Sequence, residues 1–198
     1  MSPSFVPTGI SVGIQHADGP DGKTGGSSAF AGSEASYIEI PQNYRLDTRY
    51  SITILAMVYP EGVDGPLVHF VPPSVIYGPH VWFVNNNLFT RIVGRGNFAL
   101  AESIQSSSLM PRKWSYVGTS YDYSTGVVRN WINGEMISEL SIGSMELATD
   151  QVIRMGAVPI DNRYFKGRIS CVQIYKQALT KELIAAAKDA CSDYKRSK

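Results

Sequence analysis

The sequence predicts an all-β fold, two antiparallel sheets packed as a sandwich and closed by one short C-terminal helix. Three observations lead there. Short runs rich in Val, Ile, Thr, Tyr and Phe alternate apolar and polar residues, as SYIEIP (36–41) and GVVRNWI (126–132) do. Turn residues separate these runs at intervals of about ten positions, the spacing of a sandwich or barrel. One late segment, 180–191, follows a helical period instead.

The elements follow in order. A short strand over 10–14 precedes a Gly/Asp/Pro loop, and strands are expected at 36–41, 51–60 and 67–71. HVWFV (80–84) and LFTRIV (88–93) flank Asn85, Asn86 and Asn87, a turn composition that tolerates positive φ. Further strands are expected at 98–105, 113–121, 126–132, 135–142, 152–158 and 168–175, with Asn133-Gly134 as a hairpin turn. Thr180 suits the N-cap of the helix and Glu182 its first turn. Leu183, Ile184, Ala187 and Cys191 form one apolar stripe on it. No repeat, linker or low-complexity tract divides the chain, so residues 1–198 are expected to be one domain with a core over about 10–191.

Composition narrows the function. The 198 residues carry 18 basic and 17 acidic side chains, a net charge of +1, so no one-sign surface for nucleic acid or anionic membrane is expected. No apolar run reaches the ~20 residues that span a bilayer. The opening MSPSFVPTG has neither the basic nor the apolar region of a secretory signal, and KRSK (195–198) reads as a solvated end. The protein is then either intracellular or a domain of a longer secreted chain. The two cysteines, Cys171 and Cys191, bear on that choice. With alternation along GRISCVQIY, Cys171 shares a face with Ile169, Gln173 and Tyr175, and Cys191 meets it if the helical stripe packs on the back of the sheet. A disulfide is expected, with two free buried cysteines as the alternative. A bridge implies an oxidising compartment, hence an extracellular or cell-surface location.

Two stretches carry a resemblance: WSYVGTSYDYSTGVVRNWINGE (114–135) and YFKGRISCVQIYKQALTKELIAAAKDAC (164–191). With GSSAFAGSEASYIEIP, YSITILAMVYPEG and LATDQVIRMGA in the same order, they resemble the laminin-G-like branch of the concanavalin A-like lectin/glucanase sandwiches over residues 26–191. The resemblance implies a jelly-roll sandwich and a non-catalytic recognition or adhesion module. The module is expected to be part of a larger extracellular protein and to bind a glycan or a protein surface. A purely structural spacer and a glycan-active glucanase or lyase of the same fold are the alternatives. The glucanase branch places its carboxylates as Glu-x-Asp-x-Glu or Glu-x-Asp-x-x-Glu, and neither pattern occurs here. Glu39 reads as the solvent face of an edge strand.

Candidate binding residues follow from the predicted faces. Val81 and Phe83, Leu88 and Ile92, Val128 and Ile132 suit the core. That leaves His80 and Trp82, Phe89 and Arg91, Arg129 and Trp131 opposite. Aromatic rings with arginines are glycan- and interface-binding chemistry, and these residues form one patch only where their strands are neighbours. Asn130 falls inward and needs a hydrogen-bond partner. Calcium is the one cofactor that the loops suggest. The oxygen-rich candidates are Asp18, Asp21, Asp122, Asp161 and Asn162, although turn capping accounts for each of them as well.

Overall fold

The computed structural model describes residues 9–62, 64–73, 77–159 and 161–193; the KRSK tail and the opening residues lie outside the described residues. The strands are β1 (Ile10–Val12), β2 (Gln15–Ala17), β3 (Ser27–Ala31), β4 (Tyr37–Ile40), β5 (Ile52–Pro60), β6 (Gly65–Val71), β7 (His80–Val84), β8 (Asn87–Gly94), β9 (Asn97–Ser108), β10 (Ser115–Asp122), β11 (Val127–Ile132), β12 (Glu135–Ser141), β13 (Val152–Met155) and β14 (Lys166–Tyr175). They are followed by the helix α1 (Lys181–Asp193). Sheet A has the order β1-β4-β13-β6-β7-β8-β9 and sheet B the order β12-β11-β10-β5-β14-β3-β2, making the antiparallel sandwich that the alternation predicts. Strands β2 and β3 are additions to the expected set. Three residues are too few to show a period, and SSAFA is built from small residues with little strand signature.

The core lies between the sheets. Sheet B contributes Ile52, Ile54, Ala56 and Val58 of β5, Val117 and Tyr121 of β10, and Val128 of β11. Sheet A contributes Phe70, Val81, Phe83, Leu88 and Ile92, so the inward faces are the ones the alternation assigns. Asn130 also points inward and is fully buried. It accepts a hydrogen bond from Thr90 Oγ1 of the opposite sheet (2.7 Å) and donates to the Ile104 carbonyl (3.4 Å). Both polar hairpins form as expected, with positive φ at Asn85, Asn86, Asn133 and Gly134.

A second, smaller core lies on the outer side of sheet B. There α1 packs Ile184, Ala187 and Cys191 over Leu55, Tyr116 and Trp131. The Leu183 N–H is capped by Thr180 Oγ1 (3.4 Å), as the N-cap reading requires. The Leu183 side chain, expected in the buried stripe, is 43% exposed; the buried arc is narrower than the spacing suggests. Cys171 and Cys191 are joined as a disulfide. The strand register differs from simple alternation here. Pairing with β5 slips between Ser170 and Gln173, and Cys171 takes φ 51°. This bulge puts Ile169 in the main core but Cys171 and Gln173 under the helix. Glu39 also departs from expectation. Strand β4 lies between β1 and β13, so Glu39 is not on an edge strand.

Candidate functional site

The solvent side of sheet A carries a row of directly paired residues: Glu39, Arg154, His69, His80, Arg91 and Ser103, one from each of six adjacent strands. A second row holds Pro66, Trp82, Phe89 and Gln105. Cross-strand partners share a face, so these rows form one continuous surface. Its middle is aromatic and tightly closed. The rings of His69 and His80 stack at 4.7 Å, and His80 lies 5.7 Å from Phe89. The Trp82 indole N–H donates to His69 Nδ1 (3.0 Å), and His80 Nδ1–H donates to the Gly78 carbonyl (2.8 Å). Gly78 itself lies close against the β6 backbone: a Cβ there would lie 2.0 Å from the Phe70 oxygen.

His80 and Trp82 were expected on an open face, and the structure corrects this; His69, which was not among the candidates, is buried with them. His69 is 1%, His80 4% and Trp82 1% exposed. Two loops cover them: Tyr77 lies 5.8 Å from His80, and the Arg163 guanidinium lies 4.7 Å over Trp82, held by Asp161 through paired bonds of 2.9 and 2.6 Å. Burial pushes the His80 pKa down to about 4, partly opposed by its bond to Gly78 and reinforced by Arg91 and Arg163. Burial also holds His69 well below the ordinary value, with His80 adding to the effect. Both rings are therefore neutral near pH 7. Because His69 Nδ1 accepts from Trp82, its proton sits on Nε2, and this buried N–H has no acceptor among the described residues.

Arg91 lies at the half-open end of the surface. Its guanidinium carbon is 5.1 Å from the Tyr77 ring centroid and 5.9 Å from that of Phe89. Its Nε is buried without a partner among the described residues. The other two arginines over this face are neutralised, Arg154 by Glu39 (2.6 Å) and Arg163 by Asp161 (2.6 Å). Beside Arg91 and Phe89, the exposed edge strand β9 presents Ser103 and Gln105. The arrangement joins ring faces, a cation and hydroxyl- or amide-bearing side chains on one surface.

Arg129 and Trp131 belong elsewhere. They lie on β11 of sheet B, on the far side of the sandwich from Trp82, so the strand order rules out a patch shared by all five candidates. Trp131 is 6% exposed beneath α1 and donates to Ser120 Oγ (2.9 Å), while Arg129 is bound by Glu139 across the strand pair (2.6 Å). The calcium candidates are scattered as well. Asp122 accepts from Ser124 and Thr125 within its hairpin. Burial would raise its pKa, but these bonds outweigh burial and lower it. Asp161 is engaged by Arg163, Asp21 caps the Lys23 N–H, and Asp18 and Asn162 are exposed. Among the described residues, no three His, Cys, Asp or Glu side chains gather at one point.

The sequence reading did not single out Tyr77, Arg163, Ser103 or Gln105. Ser103 and Gln105 alternate along FALAESIQ on the side opposite Ile104, a signal that was available. Tyr77 and Arg163 come from loops, whose folding over the sheet has no periodic signature. A second aromatic cluster also went unforeseen: exposed Tyr50 and Tyr123 meet edge-on at 5.1 Å, with Arg49 5.5 Å over Tyr50. The Arg49 cation is already paired with Glu146 (2.8 Å).

A laminin-G family model, described as the concanavalin A-like lectin/glucanases superfamily, matches residues 32–185. No curated protein matches the chain. Solved structures of similar fold include the binding domain of Paraclostridial Mosquitocidal Protein 1 (TM-score 0.71, 19% identity, 93% of this chain and 47% of that one). The binding domain of botulinum neurotoxin serotype G is similar too (0.70, 15%, 94% and 46%). So is the serotype D ligand-binding domain in complex with N-acetylneuraminic acid (0.69, 14%, 92% and 46%). The chain spans less than half the length of each of these structures.

Proposed function

The chain belongs to the concanavalin A-like lectin/glucanases superfamily, and from that premise we propose that it is a non-catalytic recognition module that binds a glycan on the solvent side of sheet A. The observation that carries this reading is Arg91, held over the Tyr77 and Phe89 rings without a carboxylate partner among the described residues and flanked by exposed Ser103 and Gln105. Rings offer flat apolar faces to a sugar, and the polar side chains around them suit its hydroxyls. Trp82 and the two histidines then act as the rigid floor of the site rather than its contacts. The Cys171–Cys191 bridge supports placing the module in an extracellular or cell-surface protein. The sugar complex of the serotype D domain supports a carbohydrate ligand by likeness of fold. That domain belongs to a chain about twice as long, so the likeness speaks to the class of ligand and not to its position.

The non-catalytic half of the proposal rests on carboxylates. Retaining glucanases need two of them about 5–5.5 Å apart on a cleft. The acid on this face nearest to such a role, Glu39, is bound by Arg154. Display of the multimerised module on an array of neutral, sialylated and sulfated glycans tests the binding function. Hits are expected, and the double variant Ser103→Ala/Gln105→Ala should weaken them at unchanged Tm. An array without hits refutes the reading. Turnover of a β-glucan that is abolished by Glu39→Gln would refute its non-catalytic part.

A further inference from the structure

We propose that the group read by this surface is an oxyanion, so that the module selects acidic over neutral glycans by seating a carboxylate or sulfate on Arg91; this rests on the glycan reading above. The row Glu39–Arg154–His69–His80–Arg91 is rich in donors and short of acceptors. Its one carboxylate, Glu39, is taken up by Arg154. Arg91, half-buried beside the closed middle of the row, has no carboxylate partner among the described residues, and its Nε–H has no acceptor there. Asp161, the other carboxylate over the face, is taken up by both outer bonds of Arg163. A bound anion supplies the counter-charge that Arg91 lacks.

The position of Arg91 suits that role. A guanidinium resting on aromatic rings keeps its N–H edge for ligands in its own plane. That edge matches the paired oxygens of a carboxylate or sulfate better than a single hydroxyl does. Fixing the side chain between Tyr77 and Phe89 also removes part of the rotamer entropy that a free surface arginine loses on binding. Ser103, directly opposite Arg91 on β9, lies where the remainder of an acidic sugar would present hydroxyls.

The experiment compares lactose, 3′-sulfolactose and 3′-sialyllactose, which share the lactose core and add nothing, a sulfate ester, or an entire sialic acid with its carboxylate, against the intact protein and against Arg91→Gln and Arg91→Lys. Expected are at least tenfold tighter binding of one or both acidic sugars over lactose, loss of that margin in Arg91→Gln, and partial retention in Arg91→Lys. The sialylated and sulfated arms separate carboxylate from sulfate as the preferred group. Equal affinity for all three sugars, or an acidic preference that survives Arg91→Gln in a variant of unchanged Tm, overturns the oxyanion inference and leaves glycan recognition standing. No binding of any glycan, here or on the wider array, overturns both. Capture of an acidic peptide through Arg91, with no sugar bound, overturns the inference in favour of a protein ligand.

Discussion

Asn130 sits among the apolar residues of the inner face of sheet B, yet its amide is satisfied by Thr90 and Ile104 of the opposite sheet. The need for a partner was legible from the strand register; the partner was not, because it comes from a strand forty residues away in sequence. Asn130→Ala leaves the Thr90 hydroxyl unpaired and opens a cavity, and should cost about 2–4 kcal/mol in urea unfolding. Trp82 offers the contrasting case. Its outward direction was read correctly from HVWFV, but outward here means toward a layer of loops. Trp82→Ala removes a buried ring and leaves His69 Nδ1 without its donor, and should destabilise by about 3–5 kcal/mol. A stability within about 1 kcal/mol of the parent would show that the ring is not part of the packed floor.

At the scale of elements, strands with clear alternation and polar hairpins were readable: the Asn85-Asn86 and Asn133-Gly134 turns adopt the positive φ that their residues favour. The bulge at Cys171 was not. An extra residue in a strand has no compositional mark, and the face assignments on either side of it shift without warning. Its consequence is structural, since it turns Cys171 to the side where α1 carries Cys191. The bridge closes a short loop, so replacing both cysteines by serine should cost about 3 kcal/mol through the freedom returned to the unfolded chain. The same change should loosen the last turns of α1, seen as lower helical circular dichroism and faster amide exchange there than in β5. Equal urea midpoints for the oxidised parent and the double-serine protein would contradict this account.

For the whole molecule, each sheet has one face in the core and part of its second face covered as well. Sheet B is covered by α1 and the middle of sheet A by the Tyr77 and Asp161–Arg163 loops. Alternation locates a second face but not what lies on it, which is why the fold was legible in sequence while the floor of the site was not. The buried face of sheet A makes stability depend on pH. His69 meets Arg154, His80 and Trp82, while Tyr77, Phe89, Arg91 and the Asp161–Arg163 pair surround His80. Both histidines have pKa values lowered by burial, so the unfolded chain, titrating near about 6.5, binds their protons first as pH falls. Their contribution is therefore complete above about pH 6.5 and is lost progressively below it, for His80 until its folded value of about 4 is reached. Each histidine lowers stability by up to about 1.4 kcal/mol per pH unit in that window. Asp122, Asp161 and the exposed Glu182, all carboxylates held below their ordinary values, add their own loss only below about pH 4. Urea midpoints at pH 7.5, 6 and 5 should therefore fall steadily. His80→Phe keeps a ring in the stack but cannot titrate, and should flatten the decline by about half relative to its own value at pH 7.5. A parent profile that is level from pH 7.5 to 5 would mean that the histidines are not held neutral in the folded protein.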